Sequence, residues 1–141
     1  MAIVGSSLIS PKGIFMFSHV MVGADDIDRA KVFYDALFQA IGGKPSFTDD
    51  RGRLIYMHDG ALFMVTRPID GQSASCANGG TIGFTMASPE QTDAWHAAGV
   101  AAGGTPCEDP PGIREASFGK LYLAYLRDPY GNKLCALHRF G

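Results

Sequence analysis

Two stretches of this chain have nearly the same sequence, Ala40-Ile41-Gly42-Gly43-Lys44-Pro45 and Ala101-Ala102-Gly103-Gly104-Thr105-Pro106. A glycine pair followed by proline ends a helix and prevents it from resuming. Each stretch closes a segment that opens with a short apolar strand, His19-Val20-Met21-Val22 in the first and Thr81-Ile82-Gly83-Phe84 in the second. The repetition indicates a duplicated half-domain, and a ligand site is expected between the two copies.

The first copy shows the periodicity of a strand, followed by that of a helix. Alternating residues from Phe15 to Gly23 predict a strand, and Asp25 or Asp26 can cap the helix that follows. That helix carries an apolar stripe at helical spacing, formed by Ile27, Ala30, Phe33, Leu37 and Ile41. Three short strands are expected next, with an Asp59-Gly60 hairpin turn before the last. Their predicted ranges are 46–48, 53–58 and 61–67.

The second copy follows a polar linker, residues 68–79. Ser88-Pro89-Glu90-Gln91 combines an N-cap serine, a proline in the first helical turn and a capping-box glutamine. We expect the helix to bury Ala94, Trp95, Ala98 and Ala102. A long loop, a strand at 120–127, a tight turn at 128–132 and a last strand at 133–138 complete the copy.

These elements predict an α+β fold of two βαβββ modules. The strands are expected to form a curved mixed sheet with a concave ligand pocket, and the helices to lie outside it. We expect an N-terminal arm at residues 1–13 and one domain at 14–141. Within that domain, module 1 covers 14–67, the linker 68–79 and module 2 80–140.

Composition excludes some classes of function. The chain has 141 residues and a formal net charge of −2, too small to favour nucleic acid or an anionic membrane. No apolar run is long enough to cross a bilayer. The three cysteines, Cys76, Cys107 and Cys135, form no Cys-x-x-Cys motif. We therefore expect a reduced, cytoplasmic protein.

The pattern resembles the vicinal oxygen chelate superfamily, which includes glyoxalase I, bleomycin-resistance and fosfomycin-resistance proteins and extradiol dioxygenases. The resemblance rests on the duplicated Gly-Gly-x-Pro, the histidine that opens the first strand and the turn Asp128-Pro129-Tyr130-Gly131-Asn132. The stretch from Gly80 to Gly104 and Pro111-Gly112-Ile113-Arg114 are also similar to a bacterial glyoxalase-like branch. The resemblance covers about residues 15–140.

The resemblance implies four metal-ligand positions on the concave face. They fall at His19, Met64, Thr81 and Cys135, and only His19 has the usual ligand chemistry. A thioether, a hydroxyl and a thiol poorly replace the imidazole nitrogen and carboxylate oxygen that divalent metals take in such sites. We therefore expect no cofactor and disfavour a divalent metal. His58 is a possible third ligand, and His96 and His138 are poorer candidates.

Other roles follow from the same positions, each beside a structural alternative. His19 can act as a general base or a hydrogen-bond donor, or be an inert strand histidine. Cys135 can act as a catalytic thiolate if His19 lowers its pKa, or simply fill space. Arg114, in the long loop, can clamp an anion or stay solvated. Tyr56 and Tyr122 are candidate ligand contacts. Core packing is the expected role of four phenylalanines, Phe15, Phe17, Phe63 and Phe84.

Three functions stay open at this point. The first is a metal-independent protein that binds a small molecule around His19, as a lyase or isomerase type of enzyme. The second is a binding protein that sequesters a ligand or drug without changing it. The third, which the ligand positions disfavour, is a metal-dependent lyase of the glyoxalase I type. The expected partners are a small molecule and, by resemblance, a second copy of the chain in a homodimer.

Overall fold

A computed structural model describes residues 16–141 of the chain. The predicted arm at residues 1–13 and the predicted strand start at Phe15 lie outside these residues. Within the described part, the two helices and most of the strands have the predicted order. The fold is α+β, as the sequence predicted.

The first half forms a four-stranded sheet with one helix. Its elements are β1 (Val20–Gly23), α1 (Ile27–Ala40), β2 (Phe47–Thr48), β3 (Leu54–His58) and β4 (Ala61–Thr66). The strand order is β1-β4-β3-β2, with β1 parallel to β4 and the other pairs antiparallel. Strand β1 is shorter than predicted, because residues 16–19 do not join the ladder. The positive φ angles of Asp59 (50°) and Gly60 (79°) fit the predicted hairpin turn.

The second half repeats this arrangement with one additional strand. Its elements are β5 (Ile82–Thr85), α2 (Pro89–Ala101), β6 (Thr105–Pro106), β7 (Gly112–Ala116), β8 (Gly119–Arg127) and β9 (Lys133–Arg139). The strand order is β5-β9-β8-β6, and β7 also pairs with β8. The prediction of a long loop after α2 is wrong in part, because residues 112–116 form β7 against residues 119–123 of β8. Backbone pairing therefore orders a segment that has no clear strand periodicity.

Both helices begin at the predicted caps. Asp26 accepts a hydrogen bond from the Arg29 backbone N–H, and Ser88 accepts one from the Gln91 backbone N–H. The Gln91 side chain in turn accepts from the backbone N–H of Ala87 at 2.7 Å. These bonds satisfy donors that a helix start otherwise leaves unpaired.

The buried face of α2 differs from the prediction. Thr92, Trp95 and Gly99 are buried, whereas Ala94 is exposed. Close packing leaves room only for a glycine at position 99, because a Cβ there would lie 2.3 Å from Leu126 Cδ1 and 2.9 Å from Leu37 Cδ2. The face is therefore set by what α1 and β8 press against it, which helical spacing of alanines does not reveal.

One hydrophobic core joins the two halves. It contains residues of both helices and one face of each sheet, and α1 packs against α2. Phe63 is buried in this core and Phe84 packs against it, as predicted. Phe17 is 71% exposed, so its predicted core role is wrong. In the described residues no strand of one sheet pairs with a strand of the other. The strands therefore form two separate sheets that share one core.

Polar contacts also hold the halves together. The buried Tyr34 hydroxyl donates to Asp128 Oδ2 at 2.5 Å, and the Tyr130 hydroxyl accepts from the Asp26 backbone N–H at 2.9 Å. Residues 128–132 thus anchor the start of α1 as well as turning β8 into β9. Among the described residues, no helix is both long and apolar enough to cross a membrane.

Candidate ligand-binding site

The face of each sheet turned away from the helices is here called the outer face. In the first sheet, Leu54, Tyr56 and Phe63 belong to the shared core, so strand alternation puts Ile55 and Met64 on the outer face. In the second sheet, the outer face carries a separate small apolar cluster that includes Leu121, Leu123 and Cys135. The outer faces are where the sequence placed the ligand positions.

The four predicted ligand positions differ in exposure. Met64 and Cys135 are buried within β4 and β9, where they pair in register with Met21 and Gly83. His19 and Thr81 directly precede β1 and β5, and both are exposed. The histidine ring is therefore open to solvent, with its Nδ1 2.8 Å from Ser18 Oγ.

Burial favours the protonated thiol of Cys135 over the thiolate. Burial raises its pKa, and the opposing contribution of the neighbouring Tyr125 hydroxyl does not cancel that effect. Its sulfur lies 3.7 Å from the Ala136 carbonyl oxygen, a geometry of a protonated thiol donating a weak hydrogen bond. The predicted nucleophile requires a lowered pKa, and the structure gives a shift in the opposite direction.

The two predicted tyrosines turn away from the outer face. Tyr56 is buried in the core and donates to Asp35 Oδ1 at 2.6 Å. Tyr122 donates to Asp93 of α2 at 2.8 Å, on the helix side of β8. Tyr125 is the tyrosine on the outer face, in register with Cys135. Burial, with the adjacent Cys135, raises the Tyr125 pKa to about 12.

Sequence reasoning could not make this assignment because alternation only separates odd from even positions. Which set faces the helices depends on the register of β8 against β9 and on the packing of α2. The signal that could have identified Tyr125 is its parity with the apolar Leu121 and Leu123, combined with a fixed outer position for Cys135.

Arg114 lies on strand β7, so its predicted loop position is wrong. In register it is opposite Leu121, which places it on the outer face at the edge of the second sheet. Its guanidinium donates to the carbonyl oxygens of Pro110 at 2.9 Å and Asp109 at 3.2 Å. Those bonds hold the Arg114 side chain against the segment that precedes β7, and an anion would have to compete with them.

The remaining histidines do not extend the ligand set. His58 lies on the core side of β3, 6.0 Å from the Phe38 ring, so it is on the opposite face from Met64. His96 is partly buried on α2, and burial lowers its pKa. The His138 ring contacts the Met86 carbonyl oxygen at 3.1 Å. Across residues 16–141, no three His, Cys, Asp or Glu side chains converge in a way that could hold a metal ion.

A cavity of about 350 Å³ lies where β1 approaches β5, and is here called the seam cavity. Its walls come from both halves, the linker and the start of β9. Thr81 is among them, whereas the structure does not place His19 or Cys135 in its lining. The lining residues are Met21, Val22, Gly23, Ser75, Ala77, Gly80, Thr81, Ile82, Asn132 and Lys133.

Polar contacts fix the walls of the seam cavity. Asn132 Nδ2 donates to the Gly23 carbonyl at 3.4 Å, and Asp25 accepts from the Ala74 backbone N–H at 2.6 Å. The Lys133 ammonium pairs with Glu108 and lies 5.0 Å from the Tyr125 ring centroid. Of the polar side chains in the lining, Asn132 already donates to the Gly23 carbonyl and to Asp128, and Lys133 is already paired with Glu108. Thr81 contributes a neutral hydroxyl beside the apolar Met21, Val22 and Ile82. A small molecule that accepts hydrogen bonds would use the hydroxyl directly and would share the ammonium with Glu108.

Comparison with known proteins identifies the fold and the family. No protein-family model matches the sequence, and no match was found among curated protein sequences. A glyoxalase/bleomycin resistance protein from Albidiferax ferrireducens is 56% identical over 89% of this chain and 100% of that chain, with a TM-score of 0.85.

Two more distant structures share the fold. A glyoxalase-related enzyme from Fulvimarina pelagi is 17% identical, covers 89% of each chain and has a TM-score of 0.66. A mutant of the fosfomycin resistance protein FosX from Listeria monocytogenes, complexed with Mn(II) and a dihydroxypropylphosphonic acid, is 13% identical. It aligns with 88% of this chain and 90% of its own, with a TM-score of 0.62. Together with the two βαβββ halves, the similarity to the Albidiferax protein shows that this chain belongs to the glyoxalase/bleomycin resistance protein family of the vicinal oxygen chelate superfamily.

Proposed function

We propose that the protein binds a small organic molecule in the seam cavity without a transition metal. The observation that carries the proposal is the cavity itself, about 350 Å³ between the duplicated halves. That volume is in the range of small-molecule sites. Thr81 supplies a neutral hydroxyl, and the Lys133 ammonium, which is paired with Glu108, is the nearest cation. The favoured ligand therefore carries hydroxyl groups or a carboxylate that shares Lys133 with Glu108.

The donor set argues against a hard divalent cation. Met64 offers a buried thioether, Thr81 a neutral hydroxyl and Cys135 a thiol whose pKa is raised by burial. His19 is then the one nitrogen ligand among the four positions. Nickel, zinc and manganese sites in proteins are built from more imidazole and carboxylate than this. The metal-dependent lyase of the glyoxalase I type is therefore the weakest of the three functions.

Binding is favoured over covalent catalysis by the state of the thiol. Thiol alkylation tests this directly, because only the thiolate reacts. With iodoacetamide at pH 7, the exposed Cys76 should be modified well before Cys135, as measured by peptide mass spectrometry. Modification of Cys135 first would restore the nucleophile hypothesis. Acid–base catalysis by His19 is a separate question, because His19 is not in the lining of the seam cavity and its replacement should leave ligand affinity largely unchanged in a pure binding protein.

A panel of small carboxylates, with their amides as neutral controls, tests the binding proposal. Calorimetry of the wild type should show saturable binding of at least one carboxylate. Thr81→Phe should fill the cavity and weaken that binding by at least about tenfold. Thr105→Phe adds the same ring at an exposed position outside the cavity and should leave affinity unchanged.

Two outcomes would overturn the proposal. One is equal affinity in the Thr81→Phe and Thr105→Phe variants, which would move the site elsewhere. The other is a stoichiometric transition metal in protein purified without chelators, measured by elemental analysis. If turnover of any ligand is detected, the protein is an enzyme, and His19→Ala then tests whether this histidine takes part, because a catalytic role predicts a loss of kcat and not only of affinity.

The homodimer implied by the family is part of the same proposal. The outer face of the first sheet exposes large apolar side chains, Met21 at 37% and Met57 at 67%, beside Phe47 at 54%. Exposed apolar patches of this kind are typical of protein contacts. We infer that a second copy covers this face, since the halves are duplicates and twofold pairing is the commonest assembly. Light scattering should give a dimer, and Met57→Lys with Phe47→Lys should give a monomer.

A further inference from the structure

A second cavity of about 300 Å³ lies on the helix side of the sheets, near the β3–β4 hairpin, and is here called the helix-side cavity. Its walls are the end of α1, the core face of β3 and β4, and strand β5. We propose that the helix-side cavity binds a small one- or two-ring aromatic molecule that carries a hydrogen-bond donor. It would be a site separate from the seam cavity, although Ile82 borders both.

The walls of the helix-side cavity are aromatic. Phe38 stacks on Tyr56 with ring centroids 4.5 Å apart and an angle of 10° between the planes. Phe63 and Phe84 meet edge to face at 5.6 Å, and Phe38 meets Phe84 at 6.0 Å. Phe38, Tyr56 and Phe63 are buried against one another, whereas Phe84 is half-buried and keeps ring surface free. A planar aromatic ligand could extend this cluster by packing beside Phe84. Ile41 and Val20 complete an apolar lining.

The size of the cavity fits this ligand class. An apolar cavity of roughly 150 Å³ in an engineered protein stays dry and takes up benzene. The helix-side cavity has about twice that volume and opens to solvent beside the hairpin. Water in contact with these walls finds few hydrogen-bonding partners, so its release favours an apolar occupant.

Two polar side chains that line the helix-side cavity, His58 and Asp59, lie next to each other on the hairpin. His58 Nε2 lies 3.4 Å from the carboxylate of Asp59, and the His58 ring is 6.0 Å from the Phe38 ring. Gly43 packs against the other side of the imidazole, since a Cβ there would lie 3.1 Å from His58 Nδ1. The Asp59 side chain is 90% exposed, so its carboxylate acts from the mouth of the cavity, where solvent screens its charge. It accepts hydrogen bonds and repels anions there, so a phenol or an N–H is favoured modestly over a carboxylate on the ligand.

Three probes of matched shape test the proposal, namely p-cresol, toluene and p-toluate. In calorimetry at neutral pH, p-cresol should bind with a Kd between about 10 µM and 1 mM, as expected for so few atoms. Toluene lacks the donor and p-toluate is an anion, so each should bind more weakly than p-cresol. Asp59→Asn removes the negative charge and should reduce the discrimination against p-toluate. It also keeps a residue that tolerates the positive φ of this position.

Variants inside and outside the helix-side cavity provide the site control. Ala61 is exposed on the core side of β4 and borders the cavity, so Ala61→Phe should fill it. It should weaken p-cresol binding at least about tenfold. Thr105→Phe adds the same ring at an exposed position outside both cavities and should leave binding unchanged. Unchanged thermal unfolding of both variants would show that loss of binding is local.

The proposal fails if Ala61→Phe binds p-cresol as the wild type does, or if the wild type shows no saturable binding below about 10 mM. It also fails if p-toluate binds more tightly than p-cresol. Thr81→Phe distinguishes the two cavities. It should leave p-cresol affinity unchanged, and loss of p-cresol binding in that variant would assign the probe to the seam cavity instead.

Discussion

The two helices occupy equivalent places in the duplicated halves but bury very different side chains. Helix α1 buries mostly large residues, among them Phe33, Tyr34, Leu37 and Phe38, whereas α2 buries Thr92, Trp95 and Gly99. The difference is complementary, because Leu37 occupies the space that Gly99 leaves free. Duplication therefore kept the order of elements while the contact between the copies became asymmetric.

The largest expected effect on stability comes from replacing Gly99, the small residue that makes the contact between the helices asymmetric. Gly99→Val puts methyl groups where Leu126 and Leu37 already lie, and should lower the free energy of unfolding by about 2 kcal/mol. The gain in helix propensity over glycine is smaller and does not offset it. Denaturant unfolding measures the change.

Ala97→Val, on the exposed side of the same helix, is the matched control. It should cost no more than the propensity difference, about 0.5 kcal/mol. Equal stability of Gly99→Val and Ala97→Val would show that the helices are not in close contact at this position.

The next prediction compares the effects of removing two hydrogen bonds. One joins the halves, from Tyr34 to Asp128, and the other lies within the first half, from Tyr56 to Asp35. Tyr34→Phe removes the bond to the buried Asp128, whose carboxylate keeps Asn132 and backbone donors. It should cost about 1–2 kcal/mol. Tyr56→Phe removes the bond to the half-exposed Asp35 and should cost about 0.5–1 kcal/mol.

Thermal unfolding of the two variants tests the ranking. A larger loss for Tyr56→Phe would mean that the Tyr34–Asp128 hydrogen bond contributes little to the contact between the halves. In that case Asp128 would matter mainly for the turn into β9.

The smallest expected effect is a dependence of the protein's stability on pH, which arises from Asp35 in the first half. Burial raises the pKa of Asp35, but hydrogen bonds from Lys31, Tyr56 and the Ser46 backbone outweigh it, so the pKa lies below its ordinary value of 3.8. The charged form is thus favoured in the fold. The stabilisation is present above the ordinary value and is lost as the pH falls through the lower pKa of the folded protein.

Asp35→Asn should therefore be less stable than the wild type at pH 7, and the gap should narrow as the pH is taken toward 3. Because the group is partly exposed, the whole effect should stay below about 1 kcal/mol. Unfolding curves of the two proteins that run parallel across this range would contradict the cause given for the shift.

Much of the fold could be predicted from the sequence because its signals are local. Asp26 and Ser88 cap the helices as expected, and Asp59-Gly60 turns the hairpin. Strand β7 escaped prediction because its ladder depends on β8, a partner that local sequence does not reveal. Of the seven candidate site residues, Thr81 borders the seam cavity, while Tyr56 and Tyr122 turned out to face the helix side.

The sequence by itself determined the duplicated order of elements, the caps and turns, and the thioether, hydroxyl and thiol at Met64, Thr81 and Cys135. Each of these depends on residue identity and short-range spacing. Only the tertiary structure decided that Tyr125 faces outward, that the Cys135 thiol has a raised pKa, and that two cavities border β5. These properties arise from register and burial, which are set by distant parts of the chain packing together.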